Sequence, residues 1–144
     1  MIVDALRMIQ DIRRTSRAVD VWGALLNIPQ FVGGLIFIAQ LEGRLILITL
    51  IFTLLVAGQI HRVSPFSRLI GLCHLPWLVL LPIIASKLSS AAPLGWYEGW
   101  LAYVFIVICI SLVFDAWDVA RYLRGDKKFA WASDLNSARR NLKQ

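Results

Sequence analysis

Four uncharged apolar runs, Val21–Leu41, Leu45–Ile60, Leu69–Ser86 and Gly99–Phe114, constrain this chain more than any other feature. They are 21, 16, 18 and 16 residues long, against about 20 for a helix that crosses the hydrocarbon core of a bilayer. The second and fourth reach full length by recruiting flanking polar residues. With 58% hydrophobic and 17% charged residues and a mean hydropathy of +0.68, the composition excludes an ordinary soluble domain. The expectation is an all-α, single membrane domain: an integral membrane bundle of four transmembrane helices at 21–41, 45–62, 65–86 and 97–120. An N-terminal interfacial amphipathic helix falls within residues 1–20, and a basic tail, 121–144, carries a short C-terminal amphipathic helix.

Charge orients the spans. The net charge is +6, from 15 Lys and Arg against nine Asp and Glu. Thirteen of those cations flank one side: the N-terminal arm (Arg7, Arg13, Arg14, Arg17), the connection between spans two and three (Arg62, Arg68), and the tail from Arg121 to Lys143. Only Arg44 and Lys87 fall on the other. The positive-inside rule then places both termini in the cytoplasm, in a bacterial inner membrane. The basic excess serves orientation and contact with anionic lipid heads, and no nucleic-acid partner is expected. The N-terminus does not read as a cleaved signal, because its first apolar run is too long and no small-residue cleavage site follows. Cys73 and Cys109 sit inside apolar runs without a second cysteine at metal or redox spacing, so they read as small packed hydrophobes.

Local signals refine the outline. Ile2, Leu6, Ile9 and Ile12 recur at helical spacing in the first arm, the pattern of a helix lying in the interface. Trp22 opens span one as a belt residue, and Pro29 with Gly33-Gly34 predicts a bend whose freed carbonyl a neighbouring helix must satisfy. Leu41–Arg44 is a tight turn. Ser64-Pro65 reads as the start of span three, serine as cap and proline in the first turn, and Pro76 and Pro82 predict kinks in it. Trp96, Tyr97 and Trp100 suit the outer aromatic belt. Gly125 is a helix stop, and Ser133 a cap for the short basic helix.

The polar residues fall in stripes. Asp20, Gly23, Asn27, Gln30 and Gly34 share a face of span one, as do Thr49, Thr53, Ala57 and His61 of span two, Ser67, Gly71 and His74 of span three, and Ser111, Asp115, Asp118 and Tyr122 of span four. In lipid such stripes face one another. His74 lies six residues inside Arg68, and Asp115 six inside Arg121, about 9 Å in each case at 1.5 Å per residue. Equal depth selects a polar intramembrane layer of Asn27, Gln30, His74 and Asp115. His61, Arg62, Arg68, Asp118, Arg121 and Arg124 are expected as charges at the cytoplasmic edge, with Asp118 at the water boundary. Asp115 itself has three readings: a water-exposed helix end, an interhelical hydrogen-bonding contact, or part of a proton or ion path.

No catalytic residues emerge: G-x-S-x-G, H-E-x-x-H, P-loop and paired C-x-x-C patterns are all missing. No metal ligands and no cofactor are expected. Two axial imidazoles would have to meet at one depth, and His61 sits at the mouth of span two while His74 lies about 9 Å deeper. What remains is a small polytopic protein acting through contacts, an accessory, assembly or scaffold subunit beside a larger membrane complex or in a homo-oligomer. The alternatives are a proton- or ion-coupled small transporter or channel built on Asp115 and His74, and a b-type haem or quinone-binding anchor.

Overall fold

A computed structural model describes residues 1–90 and 95–129. The proposed helix after Ser133 lies outside these residues. The described chain is all-helical apart from its connections. In order come α1 (Ile2–Thr15), α2 (Arg17–Ile36), α3 (Leu41–Val63), a 3₁₀ segment (Arg68–His74), α4 (Trp77–Ser90) and α5 (Trp96–Leu123). Three of these helices, α2, α3 and α5, are long and apolar enough to cross a membrane. The 3₁₀ segment and α4 together would make a fourth crossing, bent by 45°.

The bend has a local cause. Pro76 has no N–H, so Leu72 O takes a tighter bond from Leu75 N at 3.3 Å, and the run tightens to 3₁₀. The Cys73 carbonyl instead accepts the Thr53 hydroxyl of α3 at 3.3 Å. The helix restarts with Val79 and Leu80 N donating to Pro76 O. The third apolar run also turns helical later than its Ser64-Pro65 signal suggests. Ser64 closes α3 through its N–H to Ile60 O, Phe66 takes a left-handed φ of 57°, and Ser67 is the actual cap, its hydroxyl accepting from Leu69 N.

Two packed clusters organise the rest. The larger joins Leu26, Ile46, Trp77, Leu80, Ile84, Leu101, Val104, Val107 and Ile108 across α2 to α5. The smaller joins Met8 of α1, Ala57 of α3 and Cys73. α1 therefore docks on the end of α3. Gly58 makes this approach possible, since a Cβ there would stand 2.6 Å from Ala5 N. Its other side keeps Ile2, Val3 and Leu6 exposed.

The glycines and proline of α2 are read out by α5. Pro29 leaves the carbonyl of Leu25 without its helical donor, and the Tyr103 hydroxyl donates to it at 2.7 Å. Trp100 Nε1 donates to Pro29 O at 2.9 Å, and its indole lies where a Cβ on Gly33 would be. So two of the α5 aromatics act inward. Tyr97 likewise donates to Glu42 at 2.7 Å and packs with Phe37, whereas Trp96 is 94% exposed, as a belt residue would be.

Candidate functional site

The polar side chains gather at the end of the molecule that carries α1, the start of α2 and the end of α5. The site is built on the bent pair formed by the 3₁₀ segment and α4. Arg68, at the first turn of the 3₁₀ segment, is 4% exposed, and its Nη1 donates to Asp118 Oδ1 of α5. Its Nη2 donates to Asp126 Oδ2 at 3.1 Å, and its guanidinium lies 4.9 Å from the centroid of the Phe129 ring. A buried cation is expensive unless paired and hydrogen-bonded, and the two carboxylates supply that pairing.

Asp126 arrives through the helix stop. Gly125 takes φ 99°, which only glycine adopts freely. Gly125 N then bonds Tyr122 O and Asp126 N bonds Arg121 O at 3.1 Å, a Schellman closure. The reversal aims the Asp126 carboxylate at both Arg68 and Arg121. Beyond it the chain runs antiparallel to 66–68, with Arg68 N to Lys127 O and Phe129 N to Phe66 O, both 3.2 Å. Burial works against ionisation of Asp126, but the hydrogen bonds and charges of Arg121 and Arg68 outweigh it and hold its carboxyl below the usual range.

Two turns deeper, His74 Nδ1 lies 2.6 Å from Asp115 Oδ2, with the two side chains 17% and 18% exposed. The imidazole stacks on the Trp77 indole, centroids 4.0 Å apart at 24°. Gly71 lets the segment approach, because a Cβ there would stand 2.6 Å from Asp115 Oδ1. A carboxylate on Nδ1 fixes the imidazole's orientation.

The expected layer is therefore half assembled. His74 and Asp115 meet, but Asn27 Nδ2 donates to Gly23 O at 2.7 Å and Gln30 Nε2 to Leu26 O at 2.9 Å, each within its own helix. Long polar side chains in an apolar setting take the nearest backbone acceptor, and one is always within reach on the preceding turn. Of the residues expected at the cytoplasmic edge, Asp118 is the ion partner of Arg68, whose own side chain is buried. His61 is 6% exposed, its Nε2 3.2 Å from Asp11 Oδ2 of α1 and its ring edge-on to Phe66 at 4.9 Å. Arg62 is exposed, 3.9 Å from Asp4; Arg121 pairs with Asp126, and exposed Arg124 caps α5. The two imidazoles thus serve different carboxylates on different helices.

Sequence reasoning missed Asp11, Asp126 and Trp77. Asp126 had one visible signal, its place directly after a helix-stop glycine. Trp77 also had one, its i, i+3 spacing from His74, whereas Asp11 had none, since its partner His61 comes from a distant segment. Among the described residues no group of three or more His, Cys, Asp or Glu is placed to hold a metal ion. Comparisons with protein families, curated proteins and solved structures find no match for this chain.

Proposed function

We propose that this protein is a small membrane subunit that acts through contacts, an accessory, assembly or scaffold component beside a larger membrane partner or further copies of itself. One observation carries this reading. The ionisable groups of the interior are engaged within the chain, Arg68 by Asp118 and Asp126, His74 by Asp115 and His61 by Asp11, while the outward faces are broad and apolar. Only 22%, 39% and 28% of the most apolar windows of α2, α3 and α5 are buried inside the molecule. Gln30 Oε1, His61 Nδ1, Arg68 Nε and Trp77 Nε1 are buried without a hydrogen-bond partner, but each carboxylate and guanidinium of this interior has an ionic or hydrogen-bonded partner in the chain, and the outward surface is what a lipid or protein neighbour meets. Purification from native membranes in a mild detergent, followed by native electrophoresis and mass spectrometry, tests it. A stoichiometric larger assembly is expected; a monomer that recovers alone under every detergent would reject it.

In this reading the four crossings form a bundle in a bacterial inner membrane with both termini cytoplasmic, and α1 lies at the interface. The 13-to-two division of Lys and Arg supports that orientation, and anionic lipid heads are the natural neighbours of Arg7, Arg14 and Arg17. Single cysteines at Ser90 and Lys128 in a Cys-free background check it: an impermeant thiol reagent on intact cells should label position 90 alone.

A second reading, a proton-coupled transporter or channel, is favoured by the His74–Asp115 pair, since an intramembrane carboxylate coupled to an imidazole can exchange a proton. Proton flux into proteoliposomes that Asp115→Asn abolishes would select it over the first.

A further inference from the structure

At the opposite end, α3 and α4 leave an open groove of about 450 Å³ lined by Glu42, Pro82, Ile83, Ser86, Lys87 and Ser90, within the about 300–1,000 Å³ typical of small-ligand sites. Five of these residues form one face of α4, since 82, 86 and 90 recur every fourth position and 83 and 87 do so beside them. That face is graded along its length. Pro82 and Ile83, deeper in the span, are apolar; Ser86, Lys87 and Ser90, in the last turns, are polar.

Glu42, in the first turn of α3, supplies the other wall, and its Oε2 accepts the Tyr97 hydroxyl at 2.7 Å. Hydrogen-bonding capacity remains on three groups. Among the described residues, Lys87 forms no ion pair within 4 Å and the Ser86 hydroxyl no side-chain hydrogen bond, while the Glu42 carboxylate also accepts from its own backbone N–H and feels the Lys87 charge at longer range. A carboxylate and an ammonium thus share one groove above an apolar wall, attracting each other but too far apart to form an ion pair.

We infer that this groove seats a zwitterionic phospholipid whose headgroup ends in a primary ammonium. Lys87 and the Ser86 hydroxyl hold its phosphate, Glu42 its ammonium, and an acyl chain runs along Pro82 and Ile83. The choice follows from charge complementarity: such a headgroup offers both charges a few bonds apart, and each meets its opposite. An anionic headgroup would bring negative charge toward Glu42. A quaternary ammonium has no N–H to donate to the carboxylate and forfeits the charge-assisted bond. The inference is independent of the accessory-subunit reading, because it requires only that α3 and α4 border a bilayer.

The full-length protein in detergent, titrated with phosphatidylethanolamine, phosphatidylcholine and phosphatidylglycerol of identical chains and read by native mass spectrometry, tests it. The ethanolamine lipid should be retained about tenfold better than either other, the factor one charge-assisted contact supplies. Glu42→Gln keeps an acceptor for Tyr97 but removes the charge, so the preference over the glycerol lipid should vanish. Lys87→Gln should weaken retention of all three. Equal retention by the unaltered protein, or a preference that survives both substitutions, would overturn the site. Displacement of the lipid by an equal concentration of soluble phosphoethanolamine would overturn the role of the apolar wall.

Discussion

The two ends of the molecule are held by different physics. At the end bearing α1 and the close of α5, carboxylates join segments distant in sequence: Asp118 and Asp126 to Arg68, Asp11 to His61, Asp4 to Gln59. At the hairpin end, neutral aromatic donors reach backbone carbonyls of α2, Tyr103 to the Leu25 carbonyl opened by Pro29 and Trp100 to that of Pro29 itself, and Gly33 makes room for the indole. Removing Arg68 or Asp118, the two least exposed members of their cluster, leaves the other's charge largely buried and unmet. Neutral donors on carbonyls degrade more gently, each worth about 1 kcal/mol. The first end should therefore fail abruptly and the second by degrees.

The largest effect should come from Arg68→Met. It strands Asp118, and by the behaviour of broken buried pairs it should cost about 3–5 kcal/mol, read as thermal unfolding in detergent. Asp118→Ala should be similarly severe; a loss near 0.5 kcal/mol, typical of an exposed residue, would return Asp118 to the solvated edge and erase the contrast between the two ends.

Next comes the deeper pair. Asp115→Ala and His74→Ala should each destabilise, and the double variant should fall short of their sum by about 1–3 kcal/mol, as for residues in direct contact. Additivity would mean that the pair is not energetically coupled. Gly33→Ala, at the hairpin end, drives a methyl into the Trp100 indole and should cost about 1–3 kcal/mol by overpacking; Gly33→Ala combined with Trp100→Ala should recover part of it.

Tyr103→Phe removes only the donor to Leu25 O and should cost about 1 kcal/mol. If it matches Arg68→Met, the two ends do not differ in kind. The smallest effect is one of pH. The Asp126 carboxyl is held below its ordinary value of 3.8 by Arg121 and Arg68, against the opposing pull of burial. Its pairing therefore stabilises the folded state above that value and is lost as pH falls through the lowered one. Melting curves of the unaltered protein and Asp126→Asn should separate at neutral pH, converge in acid, and approach each other at high salt.

Much of the candidate site was legible, though by an imperfect route. The depth argument that paired His74 with Asp115 assumed 1.5 Å per residue in both helices, whereas the segment from Arg68 to His74 is 3₁₀, with a rise of about 2.0 Å. The pair forms because Gly71 brings the segment against Asp115, and the long Arg68 side chain takes up the difference at Asp118. The same argument placed Asn27 and Gln30 in the layer, where the backbone of their own helix won instead.

The sequence by itself determined that the chain is helical and long in apolar runs, that α2 carries a proline whose orphaned carbonyl needs an outside donor, and that α5 stops at Gly125. These follow from hydropathy, from the missing proline N–H and from glycine's access to positive φ, all local properties. Which donor reaches Leu25 O, which carboxylates neutralise Arg68, and whether Trp100 faces outward or onto Gly33 were decided only by the tertiary structure. Such choices depend on distances between segments 50 to 78 residues apart, and a linear pattern carries no metric for those.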